Sequence, residues 1–132
     1  MADHERVFQF FVSEVQAVAA ARHRSIVVYG SALSADFQPG RSDYNFLVVA
    51  ERADVALLDD LAGRMGKWRR QQISAPLIMQ PEFLQTARDA YPLELLSIQA
   101  RYRVLHGEDP VAGLEFSREH VRLQCEREIR SK

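Results

Sequence analysis

The hydrophobic pattern changes period several times along the chain, and each change marks an element. Phe8, Phe11, Val12, Val15 and Ala19 recur at helical spacing within residues 5 to 21, which predicts an amphipathic helix. Val7 and Val18 widen its apolar face, and Phe10 falls outside it. Two short unbroken apolar runs follow, Ile26 to Tyr29 and Phe46 to Val49. Such runs, bounded by Gly, Pro, Ser and Asp, suit strands covered on both faces. Asp54 to Met65 reads as a second helix, with Val55, Leu58, Leu61 and Met65 on its buried face and Leu57 beside it. It stops at Gly66 or continues through Trp68 to about Gln71. Ile73 to Met79 reads as a third strand, and Pro76 inside it implies an edge or a bulge. Pro81 fits the first position of a short helix to about Asp89, which Tyr91-Pro92 ends. Ile98, Ala100, Tyr102 and Val104 alternate with Gln99, Arg101 and Arg103, a half-exposed strand. Leu93 to Leu96 is either a helical turn before that strand or its beginning. Ser117 is placed to cap a last helix with the stripe Val121, Cys125 and Ile129, braced by Arg122–Glu126 and Glu126–Arg130 at i,i+4.

The candidate chemistry lies between the two buried runs. Gly30 breaks the first where the backbone must turn tightly or approach a ligand closely. Ser31 follows with a hydroxyl and an N–H, and a short helical turn around Leu33 would point free N–H groups at the same mouth. Phe37 to Ser42 has turn chemistry, with Pro39 fixing φ and Gly40 free to take a positive φ. Asp43 and Asn45 fall on one face of the second strand. Arg41 either reaches a triphosphate at Gly30-Ser31 or is a solvated loop arginine.

Tyr29-Gly30-Ser31, the dozen residues after it, and Asp43-Tyr44-Asn45 resemble the signature of the nucleotidyltransferase superfamily, the small polymerase-β-like fold. The segments around Pro81-Glu82 and Gly107 to Pro110 resemble a bacterial branch of it. The resemblance implies an α/β (α+β) fold, a mixed sheet of about four to five strands flanked by helices. It implies nucleotide phosphate at Gly30 and Ser31, with Arg41 and Ser42 alongside, and Mg²⁺ on Asp43. In the family a second Asp and a third carboxylate complete the metal site. Here Asn45 replaces the second Asp, and alignment on Pro81-Glu82 puts Leu77 at the third position.

These departures bear on chemistry. Nucleotidyl transfer uses two metal ions to neutralise the attacking and leaving oxygens, and hard Mg²⁺ needs anionic oxygen ligands. Each carboxylate lost at metal-contact distance removes a few kcal/mol of attraction at an effective dielectric near 20. Losing the third also removes a base for the attacking hydroxyl. The leading expectation is a catalytically impaired nucleotidyltransferase-like domain, a pseudoenzyme with a residual nucleotide-binding or regulatory role. Mg²⁺ and NTP are implied only if the site functions. One alternative is an active enzyme moving NMP to a small molecule or protein, with acids supplied from outside this chain. Another is a structural module that binds a protein partner or dimerises through its first and last helices.

Bulk properties narrow the setting. The 132 residues are 47% hydrophobic and 27% charged, the composition and size of one soluble domain. Lys plus Arg is 17 against 18 for Asp plus Glu, so no basic excess points to nucleic acid. Lys67, Arg69 and Arg70 around Trp68 form a basic-aromatic cluster, read either as a stacking surface or as cations at a helix end. The single Cys125 fits a reducing, cytoplasmic compartment. The four His residues make no zinc spacing, and no run reaches membrane-spanning length. The expected domains are residues 1–113 and the start of a C-terminal helical region at 114–132, so the chain is expected to be an excised domain or a shortened relative.

Overall fold

A computed structural model of the chain describes residues 2–19 and 23–131. In chain order the elements are α1 (Ala2–Ala19), β1 (His23–Tyr29), a 3-10 turn (Ser31–Leu33), β2 (Asn45–Ala50), α2 (Val55–Ala62) and α3 (Met65–Arg70). Then come β3 (Leu77–Met79), α4 (Pro81–Ala90), α5 (Pro92–Ala100), β4 (Tyr102–Gly107) and α6 (Arg118–Arg130). The four strands form one mixed sheet in the order β3-β2-β1-β4. β1 runs antiparallel to both β2 and β4, and β2 is parallel to β3.

The continuous apolar runs are explained by cover on both faces. Alternation sends Ile26, Val28, Phe46 and Val48 toward α1, α2 and α3, and Val27, Leu47 and Val49 toward α4 and α5. On the first face Phe11 stacks on Phe46 with ring centroids 3.9 Å apart, and Trp68 tilts against Phe11 at 5.2 Å. Glu14 is buried there among donors. Arg64 Nη1 donates to it at 2.9 Å, Lys67 Nζ at 3.2 Å and Trp68 Nε1 at 3.1 Å. This clamp joins α1 to α3. Phe10 is partly buried, with Lys67 Nζ 5.8 Å above its ring.

Several boundaries differ from the sequence expectation. The second helix ends at Ala62, and α3 starts afresh at Met65 beyond Gly63. Asp54 caps α2 by accepting from Leu57 N at 2.9 Å. Leu57 and Leu61 face the core, whereas Val55 and Leu58 are exposed. The apolar set contained two faces sharing Leu61, and packing on α1 selects the 57/61 pair. The third strand shrinks to three residues. Tyr44 bridges Ile73 and Leu47 pairs with Leu77, so β2 advances three positions while the paired segment advances four. The extra residue is absorbed at Ser74 to Pro76, where proline has no N–H for the ladder.

Ile98 and Ala100 belong to α5 rather than to a strand, and β4 begins at Tyr102. Leu95 and Ile98 carry the buried face of that helix. β4 closes on β1 because residue 107 is glycine. Its φ is +83°, and a Cβ there would overlap the Arg24 carbonyl. Asp109 then accepts from Tyr102 Oη at 2.7 Å and from the N–H groups of Val111 and Ala112. Burial opposes its ionisation, but these donors outweigh burial and hold the carboxyl below its ordinary range.

Ser117 caps α6 as expected, accepting from His120 N. The inward residue of α6 is Gln124, 1% exposed, while Ile129 of the expected stripe is 74% exposed. Gln124 Oε1 accepts from Leu93 N at 2.8 Å, and its amide donates to the Glu94 carboxylate at 2.8 Å. Leu93 N lies in the first turn of α5 and has no partner within that helix, so α6 caps α5. Among the described residues no helix is long and apolar enough to cross a membrane.

Candidate functional site

The end of β1 and the head of β2 are neighbours, with Tyr29 paired to Asn45. Gly30 leaves β1 at φ +90°, a backbone that L side chains rarely adopt. Its N–H donates to Arg101 O at 3.0 Å, and its carbonyl accepts from Leu33 N at 3.1 Å. The Ser31 carbonyl accepts from both the N–H and the hydroxyl of Ser34, each at 3.0 Å. Gly30 and Ser31 therefore make a tight turn, fixed to the start of β4 on one side and to its own 3-10 turn on the other.

Asn45 lies against this turn. Its Nδ2 is 3.2 Å from the position a Cβ on Gly30 would take. Its Oδ1 accepts from Ser74 Oγ at 2.9 Å, and Ser74 N donates to Tyr44 O at 3.1 Å. Gly30, Asn45 and Ser74 are thus brought together. Ser74 was missed in the sequence because the extra residue before β3 decides which side chain lies beside Asn45. Leu77 pairs with Leu47, two residues farther along β2, and is 38% exposed.

Asp43 precedes β2 and is exposed at the mouth. Arg41 is exposed on the loop, and Ser42 is engaged in the turn. Ser42 Oγ accepts from Gln38 N at 2.9 Å, and Ser42 N donates to Gln38 O at 2.8 Å. Gly40 takes φ +83° in the same turn. Tyr29 is half-buried beside Asn45, and burial pushes its phenol pKa up.

The donor set does not fit a pair of Mg²⁺ ions. Such ions take anionic oxygens, and Asp43 is the single carboxylate among the sequence-derived site residues. The Asn45 oxygen is neutral and already accepts the Ser74 hydroxyl. Among the described residues no three His, Cys, Asp or Glu side chains form a group that could hold a metal ion. Within the basic-aromatic cluster, Lys67 and Trp68 are committed to Glu14. Trp68 is fully buried and bonded to Glu14, so its ring offers no stacking surface.

A spectinomycin adenyltransferase from Enterococcus faecialis, solved with ATP and spectinomycin, matches 85% of this chain with a TM-score of 0.56 and 13% identity. This chain has the nucleotidyltransferase fold. It spans 62% of that enzyme's length. A chain of the Shewanella oneidensis complex of tri-AMPylated HEPN toxin with MNT antitoxin matches over 96% of this chain and 93% of its own. The TM-score is 0.51 and the identity 14%. A chain of a substituted MntA–HpeT toxin–antitoxin matches over 92% of each, with a TM-score of 0.50 and 15% identity. No protein-family profile and no curated protein matches the sequence. In this nucleotidyltransferase fold the Gly30 turn and the head of β2 sit together at one end of the sheet, with a neutral amide between them.

Proposed function

We propose that this chain is a nucleotidyltransferase-fold domain that does not transfer nucleotides and acts instead in binding or regulation. One observation carries the reading. The side chain that meets the Gly30 turn is Asn45, neutral and bonded to the neutral Ser74 hydroxyl. A centre for two divalent cations needs several negative charges converging there, and among the sequence-derived site residues only Asp43 carries one. The reading extends to a protein partner, since two of the similar solved structures are toxin–antitoxin assemblies. A cytoplasmic setting fits the single Cys125.

The test is release of pyrophosphate from ATP or GTP with Mg²⁺ or Mn²⁺, for the parent chain and for Asn45→Asp combined with Ser74→Asp. The parent is expected to show none. Metal-dependent turnover by the parent would overturn the proposal. Turnover confined to the double variant would show that the turn persists and only the charges are missing.

A further inference from the structure

On the opposite face of the sheet from Asn45, a cleft of about 520 Å³ opens between the start of α1, the loop before β2 and the end of α3. That volume lies in the range of small-molecule sites. Tyr44 forms its floor. The Tyr44 side chain is directed toward α1, whereas the Asn45 amide is directed toward the Gly30 turn.

The walls have two kinds of chemistry. One is cationic. Arg6 and Arg70 both line the cleft, and among the described residues no Asp or Glu does. Arg6 Nη1 donates to the neutral Gln71 Oε1 at 3.3 Å. By contrast, Arg64, Lys67 and Arg103, which also pack on α1, each reach a glutamate of that helix. The other wall is aromatic. His4 stands edge-on to Phe37 at 4.6 Å and to Tyr44 at 5.4 Å, and its Nδ1 lies 2.7 Å from the Tyr44 hydroxyl. Phe37 is half-buried, leaving part of its ring open to the cleft.

Gln72 fastens the two walls. It takes φ +64°, a left-handed backbone uncommon for a residue other than glycine. Its carbonyl accepts from Tyr44 N at 2.8 Å, and its Oε1 accepts from Gly40 N at 3.4 Å.

We propose that this cleft binds a small organic phosphate with an aromatic body, of the size of a nucleoside monophosphate. Arg6 and Arg70 receive the phosphate, for which planar guanidinium donors are suited, and Phe37 receives the ring. No divalent metal is required. The site is separate from the Gly30 mouth and does not depend on whether the chain transfers nucleotides.

The experiment is a calorimetric titration of the full chain with AMP, adenosine and inorganic phosphate, without metal. AMP is expected to bind more tightly than either of the others. Arg6→Gln and Arg70→Gln change exposed side chains, and each is expected to weaken AMP by about tenfold, the effect of one charge-assisted hydrogen bond. Phe37→Ala should weaken AMP and spare phosphate, and Asn45→Ala should leave AMP binding unchanged. Circular dichroism checks that every variant is folded. Three results would each overturn the proposal: no saturable AMP binding at millimolar ligand, binding lost in Asn45→Ala but kept in both arginine variants, or phosphate binding as tightly as AMP.

Discussion

Glu14 and Asn45 are polar side chains built into the same sandwich, and the protein treats them in opposite ways. Glu14 keeps a charge because two cations and an indole N–H converge on it. Asn45 has no charge, and the group facing it is a neutral hydroxyl. A carboxylate set into a protein persists only with compensating donors or cations. The α1–α3 contact supplies them from the chain itself. At the Gly30 turn the partner of Asn45 is one hydroxyl, which can donate to a carboxylate but brings no positive charge. Charge is kept where it holds α1 to α3, and the side chain against the Gly30 turn is neutral.

The largest break in this comparison is expected from Glu14→Ala. It leaves Arg64, Lys67 and the Trp68 N–H without their acceptor, at a cost of about 3 kcal/mol, read as a lowered urea midpoint. A loss below about 0.5 kcal/mol, the range of ordinary surface changes, would mean that water replaces the clamp freely.

Gly30→Ala comes next, at about 2 kcal/mol, from the positive φ and from crowding against the Asn45 amide. Adding Asn45→Ala should return only part of this, because the backbone contribution remains. Full recovery in urea melts would assign the whole effect to the side-chain contact.

Acid should act on one partner of the comparison and not on the other. Burial works against the Glu14 charge, but Lys67, Trp68 and Arg64 outweigh it and hold the carboxyl below its ordinary range. The folded value is depressed, so this stabilisation is complete above the unfolded carboxyl value of about 4.3. It is lost as pH falls through the lower folded value. The gap in stability between the parent and Glu14→Gln should therefore close on acidification below that range. A gap that stays constant would remove the charge from the explanation. Asn45→Ala should show no comparable pH dependence.

The smallest effect is expected from Asn45→Asp alone, within about 0.5 kcal/mol, because Ser74 can donate to a carboxylate as it does to the amide. Combining it with Ser74→Asp should add a Mn²⁺-dependent rise in melting temperature that the parent lacks. Equal Mn²⁺ responses in parent and double variant would show that these two positions do not control the metal.

β1 and β2 were legible in the sequence because cover on both faces leaves an unbroken apolar run, and Gly30 with Asn45 stood out at their ends. The start of β4 was not legible. Alternation from Ile98 to Val104 crosses a helix end at Arg101, and Ile98 satisfies a helical and a strand pattern equally. Gln124 could not be found from its own helix, because its burial answers an unpaired N–H on α5, thirty-one positions away. Ser74 was hidden for a related reason. Its place beside Asn45 depends on one extra residue in the segment leading into β3, and no periodicity records that. The candidate site was thus half visible, with the turn and its amide in plain sequence and the hydroxyl set by tertiary register.

The brevity of β3 has a consequence for solubility. An open sheet edge is a template on which another chain can add strands and begin to aggregate. Here that edge is three residues long and follows Pro76. An incoming strand finds too few backbone groups in line to gain a foothold. The irregular stretch that displaces the sequence register therefore also guards the sheet against self-assembly from this side.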